Sequence, residues 1–411
     1  MNRQEALIDR RGFCRAMGIG AAGLPLLASS YGWAAEGSGS GDTLVVIFQR
    51  GAMDGLNAVV PHAESAYYAR RPTIAVAVPG SGEDAAIDLD GRFGLHPALA
   101  PLKPLYDQGD LALVHAVGLT VPSRSHFDAQ DFMERAWLSQ GGVFDGWLNR
   151  ALGEMSGDGT FKAVGMGTAV SRSLSGVQPV VGMSAIEAFG IESTLQRAEL
   201  LKSQLYDSFD GPSFVDSTGQ RAFAAVDELR SSTAPTLAVD NEASYPDGAF
   251  GQRLRDLAAL IKSGLGVQVA TVDIGGWDHH NNEVQELPPL LSELATGLAA
   301  FHTDLGPAMS RVTVVVMTEF GRRVSENASR GTDHGRGGVM FALGGGVQGG
   351  QVYGDWPGLS DAALEDGDLR VTLDYRAVLA EMLSRRNGLD DLSAVFPGFD
   401  GLPTQGLFVP R

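Results

Sequence analysis

Five short and largely apolar runs constrain the fold of this chain more than any other feature. They extend over Thr43 to Phe48, Leu111 to Val117, Val267 to Ile274, Val312 to Met317 and Val339 to Leu343. Runs of this length are typical of strands that are covered on both faces of a sheet. Helical patterns at about 125–138, 287–304 and 375–386 lie between and after them. This order predicts an α/β fold, a three-layer α/β/α sandwich with a mostly parallel central sheet.

Acidic residues and histidines follow these runs, where the strands of a parallel sheet would end. They are Asp54, His126, Asp278, His279, His280 and Glu319, and the pair Asp333 and His334 lies between the last two runs. Because the carboxyl ends of parallel strands form one edge of a sheet, we expect these side chains to converge there. Carboxylate oxygens and imidazole nitrogens bind divalent metals. The pattern therefore predicts one or two ions of the kind Zn²⁺, Mn²⁺, Ca²⁺ or Mg²⁺, without selecting among them.

Two of these groups have a simpler structural explanation as an alternative. Glu319 is followed by Arg322 and Arg323, and an ion pair with either arginine would explain the carboxylate nearly as well. For the loop 275–282, the alternative is a polar turn with two exposed histidines. If the loop does bind metal, His280 is the preferred ligand and His279 lies behind it.

Ser125 stands where a predicted helix begins, and a serine at that position usually caps the helix. The free N–H groups of a helix N-terminus also stabilise negative charge, and Arg124 and His126 lie beside this serine. The sequence therefore also favours Ser125 as a nucleophile activated by metal, with Arg124 and His126 binding the oxyanion or the leaving group. A water molecule activated by the metal is the alternative nucleophile.

The first 34 residues have the pattern of an export signal. Arg10 and Arg11 precede a weakly apolar stretch at 16–28, which is too short to span a membrane, and small residues precede a cleavage site after Ala34. Paired arginines in this position are typical of signals for the twin-arginine export machinery. We expect a linker at 35–42 and a domain at 43–411 with a helical insertion at about 184–262. The mature chain would be periplasmic or secreted.

The charge of the expected mature chain restricts its partners. Loss of four arginines and two acids with residues 1–34 leaves 27 basic and 47 acidic residues, a formal charge of −20. Such a chain would repel the phosphate backbone of nucleic acid, which is excluded as an expected partner. Cys14 is the only cysteine and lies in the signal, so the mature chain has no thiolate for a metal. No later apolar stretch reaches the roughly 18 residues of a membrane span.

Taken together, the motifs of the chain resemble a bacterial family of unknown function, catalogued as number 1501. They are the twin-arginine signal, Arg-Gly-Ala-Met-Asp-Gly at 50–55, Arg-Ser-His-Phe-Asp at 124–128, Gly-Gly-Trp-Asp-His-His-Asn at 275–281, Thr-Glu-Phe-Gly-Arg at 318–322 and Asp-His-Gly at 333–335. That family is similar in fold to the alkaline phosphatase and sulfatase superfamily, whose members hold one or two divalent metals at the carboxyl edge of the sheet. The resemblance implies a nucleophile at 120–126 and metal ligands at Asp54, Asp278, His280, Glu319, Asp333 and His334.

The chain departs from the superfamily at two positions. Residues 120–124 resemble the sulfatase motif Cys-x-Pro-x-Arg, but Thr120 replaces the cysteine, so Thr120 becomes a rival to Ser125 as the nucleophile. Glu319 stands where phosphatases usually have an aspartate. The expected function is a metal-dependent hydrolase of phosphate or sulfate esters, acting on a small-molecule or glycan substrate. The alternatives are hydrolysis of other bonds and a non-catalytic periplasmic binding or assembly protein.

Overall fold

The computed structural model of the chain describes residues 42–189, 206–207, 209, 211, 214–231, 238–401 and 404–411. The predicted export signal at 1–34 lies outside these residues, and so does the predicted linker apart from Asp42. Residues 190–205, 208, 210, 212–213 and 232–237 of the predicted helical insertion also lie outside them.

Two sheets contain the strands of the described residues. The strands are β1 (Thr43–Arg50), β2 (Val59–Val60), β3 (Ile87–Asp88), β4 (Gly94–Leu95), β5 (Leu111–Gly118), β6 (Ala163–Met166), β7 (Val181–Met183), β8 (Val269–Gly275), β9 (Val312–Thr318), β10 (Gly338–Gly344), β11 (Val352–Tyr353) and β12 (Leu373–Asp374). The main sheet has the order β11-β5-β10-β9-β1-β8-β6-β7, with β12 also paired to β5. A small sheet has the order β2-β4-β3.

The main sheet is parallel except for one strand. β1 pairs in parallel with β8 and β9, whereas β10 runs antiparallel to both of its neighbours, β9 and β5. The carboxyl ends of the central strands are level, because Arg50 pairs with Gly275 and Gln49 pairs with Thr318. The amino end of β10 lies at the same edge, since this strand is reversed. Residues before β10 therefore meet residues that follow β1, β8 and β9.

Nine α-helices of the described residues surround the sheets or join their strands. They are α1 (Gly55–Ala58), α2 (Ser65–Arg70), α3 (Lys103–Asp107), α4 (His126–Arg135), α5 (Trp147–Glu154), α6 (Phe214–Ser231), α7 (Ala249–Lys262), α8 (Glu283–Leu305) and α9 (Tyr375–Asn387). Ser125 caps α4, because its hydroxyl accepts a hydrogen bond from the Asp128 N–H. No helix in the described ranges has the length and apolarity that crossing a membrane requires.

Separate apolar cores lie on the two faces of the main sheet. On one face, α8 buries Leu287, Leu291, Leu294, Leu298 and Phe301, the spacing of an amphipathic helix, and α7 packs beside it. On the other face, α4, α5 and α9 cover residues such as Val46 and Phe48 of β1. Each such side chain contributes about 1.5–3 kcal/mol when fully buried. The predicted three-layer α/β/α sandwich with a mostly parallel sheet is confirmed.

Candidate metal centre

The loops after β1 and β8 touch at the carboxyl edge of the sheet, and a glycine makes this contact possible. Gly51 has φ +121°, and a Cβ atom there would lie 2.8 Å from the backbone nitrogen of Asp278. Only glycine adopts such a backbone without strain and leaves room for the second chain. The two loops therefore pack backbone against backbone, which brings Asp278 to the centre of the edge.

Three histidines surround the carboxylate of Asp278. Its Oδ1 lies 3.0 Å from Nε2 of His280, 3.1 Å from Nε2 of His334 and 3.4 Å from Nε2 of His126. Nε2 of His280 and Nε2 of His334 are 2.9 Å apart. The ligand atoms of His126, Asp278 and His334 all lie within 4.8 Å of one another. These four side chains are called the Asp278 cluster below.

The other ring nitrogen of each histidine has a hydrogen-bond acceptor. Nδ1 of His126 is 2.8 Å from Oε1 of Glu319, and Nδ1 of His280 is 3.2 Å from Oδ1 of Asp333. Nδ1 of His334 is 2.8 Å from the carbonyl oxygen of Arg124. Carboxylate and carbonyl oxygens can only accept, so Nδ1 must be the donor in all three pairs. A neutral ring then presents a lone pair at Nε2, toward the cluster.

The Asp278 cluster is thus a concentration of acceptor atoms. Nε2 of His126 is buried and has no hydrogen-bond partner among the described residues. Three imidazole lone pairs and a carboxylate oxygen repel one another unless a cation lies between them. A histidine that donates through Nδ1 and faces a metal through Nε2 is the usual arrangement in metal sites. The residues present therefore fit a divalent metal ion.

Glu319 lies behind His126 and is completely buried. Its Oε1 accepts hydrogen bonds from His126, from the side chain of Gln130 at 2.7 Å and from the N–H of Gly51 at 2.9 Å. Burial opposes ionisation, but the bonds from His126 and Gln130 outweigh it and lower the pKa of Glu319. The same hydrogen bond raises the pKa of His126. Arg322 and Arg323 have other partners, so the predicted ion pair of Glu319 with either one is not formed.

Arg322 joins the loops from the inside, and its side chain is fully buried. Nη2 donates to Oδ1 of Asp278 at 2.6 Å, and the guanidinium also donates to the carbonyl oxygens of Gly51, Ala52, Trp277 and Thr332. Burial disfavours an ionised Asp278, but the bond from Arg322 reverses this and lowers its pKa to about 2. The aspartate is therefore ionised at neutral pH.

Three predicted ligands are not members of the Asp278 cluster. Asp54 is buried, and Arg71 donates to both of its oxygens, at 2.5 and 3.2 Å. Asp54 thus forms an ion pair with Arg71, and its role as a metal ligand stays a prediction. Glu319 and Asp333 contact the cluster only through the Nδ1 atoms of His126 and His280. Their geometry is that of groups that orient ligands, because a histidine ring separates each carboxylate from the centre.

The residues of the predicted nucleophile region occupy different positions. Ser125 lies between Arg124, whose carbonyl holds His334, and His126, which faces the cluster. Its hydroxyl is 3.4 Å from the Asp128 nitrogen, a long capping bond. Thr120 is exposed, and its carbonyl accepts a bond from Arg336. The side chain of Arg124 is half exposed and pairs with the buried Asp368 at 2.7 Å.

Two residues at the site, Gln130 and Arg322, were not predicted from the sequence. They act through hydrogen bonds within the fold, for which the sequence carries no signal beyond their proximity to the motifs. His126, expected to converge with the other side chains and to bind the oxyanion, has its Nε2 3.4 Å from Oδ1 of Asp278. His279, predicted to lie behind His280, is buried, and burial with the nearby Arg322 charge lowers its pKa.

Comparisons with known proteins relate the chain to one family and to two solved structures. A family profile described as "Protein of unknown function (DUF1501)" matches residues 122–396. None of the curated proteins matches the chain in sequence. The lipoteichoic acid synthase LtaP from Listeria monocytogenes has 10% identity and a TM-score of 0.35, covering 82% of this chain and 76% of its own. The PsFucS1 sulfatase from Pseudoalteromonas sp. has 11% identity and a TM-score of 0.40, covering 91% and 73%.

Proposed function

Because the chain belongs to the DUF1501 family, whose function is unknown, we propose its activity from the site: metal-dependent hydrolysis of phosphate or sulfate esters after export. The observation that carries this proposal is the Asp278 cluster, in which three Nε2 atoms and one carboxylate oxygen face one another. His126, Asp278, His280 and His334 would hold the ion. A divalent ion bound there would stabilise the negative charge that develops on ester oxygens and would make a nearby hydroxyl more acidic.

Ser125 is better placed than Thr120 to act as the nucleophile. Both of its sequence neighbours contact the cluster. The carbonyl oxygen of Arg124 accepts a hydrogen bond from Nδ1 of His334, and Nε2 of His126 lies 3.4 Å from Oδ1 of Asp278. It also lies at the N-terminus of α4, a ten-residue helix whose free N–H groups favour an alkoxide. A neutral hydroxyl is a weak nucleophile at pH 7 and needs this positive surrounding. Thr120 has no contact of this kind among the described residues.

Arginines beside the cluster support an anionic substrate. The formal charge of the whole chain is −18, yet Arg124 presents a half-exposed guanidinium next to the residues that hold the metal position. The buried Asp368 fixes this guanidinium through Nη2 alone, and Arg323 pairs with the same aspartate. Arginine N–H groups bind the oxygens of phosphate and sulfate groups well. Arg124 would thus orient the ester group of a small-molecule or glycan substrate.

A panel of phosphate and sulfate esters, assayed with the mature protein before and after chelation, tests the proposed activity. We expect turnover of at least one ester class and its loss on chelation. Absence of turnover across the panel with metal bound would refute the proposal.

The nucleophile is tested by comparing Ser125→Ala with Thr120→Ala on the same ester. Loss of the nucleophile should lower turnover by several orders of magnitude and leave metal content unchanged. We expect this for Ser125→Ala, and a nearly normal rate for Thr120→Ala. If the effects are reversed, Thr120 is the nucleophile. If both variants keep their activity, catalysis does not use a side-chain hydroxyl.

Export is proposed from Arg10 and Arg11, which precede a short apolar stretch and a site of small residues. Export of an already folded chain would allow metal to be loaded beforehand. Replacement of both arginines by lysine should leave unprocessed protein in the cytoplasm. Normal periplasmic accumulation of that variant, measured by fractionation and mass, would contradict this route.

A further inference from the structure

We infer that the Asp278 cluster holds a single nitrogen-preferring transition metal ion of the Zn²⁺ class, and that Glu319 is the positioning residue that fixes His126 for it. The inference rests on the metal site of the proposed function and deepens it. It specifies how many ions are bound, to which chemical class the ion belongs, and the role of Glu319, which does not contact the ion.

The number of ions follows from what the surrounding carboxylates already bind. Within the described part of the chain, one group of residues has the spacing of a metal site, namely His126, Asp278 and His334. Both oxygens of Asp54 are bonded to Arg71. Glu319 accepts three hydrogen bonds on Oε1, and Oε2 accepts one from the hydroxyl of Thr318. Oδ1 of Asp333 accepts bonds from His280 and Asn327. The buried carboxylates beside the cluster, Asp54 and Glu319, thus already have protein partners, which favours a single ion.

The class of the ion follows from the donor atoms. Ca²⁺ and Mg²⁺ prefer six or more oxygen ligands, whereas this cluster offers three imidazole nitrogens and one carboxylate. Tetrahedral bonds of about 2.0–2.1 Å separate neighbouring ligand atoms by about 3.3 Å. Four of the six separations between donor atoms of the cluster are 2.9, 3.0, 3.1 and 3.4 Å, and the ligand atoms of His126, Asp278 and His334 lie within 4.8 Å of one another. The donor set therefore favours Zn²⁺ or a similar ion.

Glu319 determines which nitrogen of His126 faces the ion. Its carboxylate accepts the Nδ1 proton at 2.8 Å, so the lone pair must be at Nε2. The ring of Phe320 stacks on the ring of His126, with centroids 5.0 Å apart and an interplanar angle of 28°. Glu319 is itself fixed by Gln130 and by the Gly51 N–H. His126 thus has one orientation and one tautomer before an ion binds.

Direct titration of the metal-free mature protein tests the class and number of ions. Zn²⁺, Mn²⁺, Ca²⁺ and Mg²⁺ are added separately, and heat of binding and metal content are measured. We expect one Zn²⁺ per chain, with an affinity at least about 100-fold higher than that for Ca²⁺ or Mg²⁺. Two equivalents of tightly bound Zn²⁺, tighter binding of Ca²⁺, or no binding of any ion would overturn the inference.

The role of Glu319 is tested with Glu319→Gln, which keeps the acceptor oxygen and removes the charge. Loss of such an outer partner lowers metal affinity by about 10–100-fold. The matched control is Glu381→Gln, since Glu381 is also a buried carboxylate that accepts two backbone N–H bonds, but on α9. The control should keep the affinity for Zn²⁺. Asp333→Asn, at an exposed position behind His280, should lower it less than Glu319→Gln.

Two readouts separate positioning from a merely structural role. Glu319→Gln should alter the visible spectrum of the Co²⁺-substituted protein, which reports ligand geometry, and should keep the far-ultraviolet circular dichroism of the parent. A variant that melts earlier without metal, yet binds Zn²⁺ with unchanged affinity and spectrum, would overturn the positioning role. None of these measurements uses turnover. A chain that binds one Zn²⁺ but hydrolyses no ester would refute the proposed function and leave this inference intact.

Discussion

Replacement of Arg322 by methionine should both destabilise the chain and disrupt the proposed metal centre. Methionine fills a similar apolar volume but donates no hydrogen bond. The carboxylate of Asp278 would lose its bond of 2.6 Å, and four backbone carbonyl oxygens would lose theirs. These carbonyls belong to the loops after β1 and β8 and to the segment before β10. The change therefore releases three segments at once.

The magnitude follows from the four carbonyl bonds, because the Asp278 side chain is 45% exposed and water can solvate it. Each lost bond costs about 1 kcal/mol, which gives a destabilisation of about 4 kcal/mol. Residues 42–411 have an unfolding entropy of about 0.8 kcal/mol per kelvin, from about 2 cal/mol per kelvin for each residue. The expected decrease in melting temperature is about 5 °C.

Differential scanning calorimetry of the metal-free protein measures this decrease. The matched control is Arg172→Met, since Arg172 is 37% exposed and pairs at 3.4 Å with Asp131, which is also 37% exposed. An exposed pair of this kind contributes about 1 kcal/mol or less, so the control should melt within about 1 °C of the parent. Equal melting temperatures for the two variants would refute the assignment of Arg322 as the residue that joins the loops.

Three further predictions concern the same region. Burial and the Asp54 charge raise the pKa of Glu283 well above its usual value. The contribution of protonated Glu283 to stability is therefore complete below about pH 4.5 and is lost as pH rises toward the raised pKa. Glu283→Gln cannot ionise, so its melting temperature should rise relative to that of the parent as pH increases above about 5; a constant difference would contradict this. Gly51→Ala should lower the melting temperature more than Gly80→Ala. Both glycines have positive φ, but only at Gly51 would the added Cβ lie 2.8 Å from the backbone nitrogen of Asp278; equal decreases would refute the close contact. Chelation should leave the far-ultraviolet circular dichroism unchanged, because hydrogen bonds hold the centre without metal; loss of signal would show that metal is needed for folding.

The strands of the main sheet could be predicted because their composition reflects their environment. β1 and β9 are covered by helices on both faces, so nearly every residue is buried and most are apolar. The predicted bounds differ from the observed ones by a few residues, as for α8, predicted at about 287–304 and observed at Glu283–Leu305. The first turn of α8 contains charged residues that the apolar pattern does not mark.

The convergence of the site residues could be predicted only in part. The parallel order of β1, β8 and β9 implies that residues after them meet. The position of His334 could not be derived in this way, because it precedes β10 and would lie at the opposite edge if that strand were parallel. The reversal of β10 brings it to Asp278, at 3.1 Å. Strand direction depends on the pairing of the whole sheet, which a single sequence does not reveal.

The different fates of Asp54 and His126 show what the sequence pattern cannot specify. Both residues belong to loops at the correct edge of the sheet. Asp54 caps α1 by accepting the N–H of Leu56, and this local bond directs its carboxylate toward Arg71. His126 is the first residue of α4 and extends toward Asp278. Side-chain direction depends on such local bonds and on buried partners distant in sequence, so proximity to a strand end is not enough to identify a ligand.

The motif at 318–322 organises the centre from two sides without supplying an atom to it. Glu319 connects the loop after β1 with α4, through Gly51 and His126. Arg322 connects that same loop with Asp278 and with the segment before β10. The four facing side chains come from three separate segments, so their spacing depends on these two residues and not on any one loop. A carboxylate and a guanidinium at this spacing therefore favour a preformed arrangement of these side chains, in which the proposed ion would meet ligands that are already oriented.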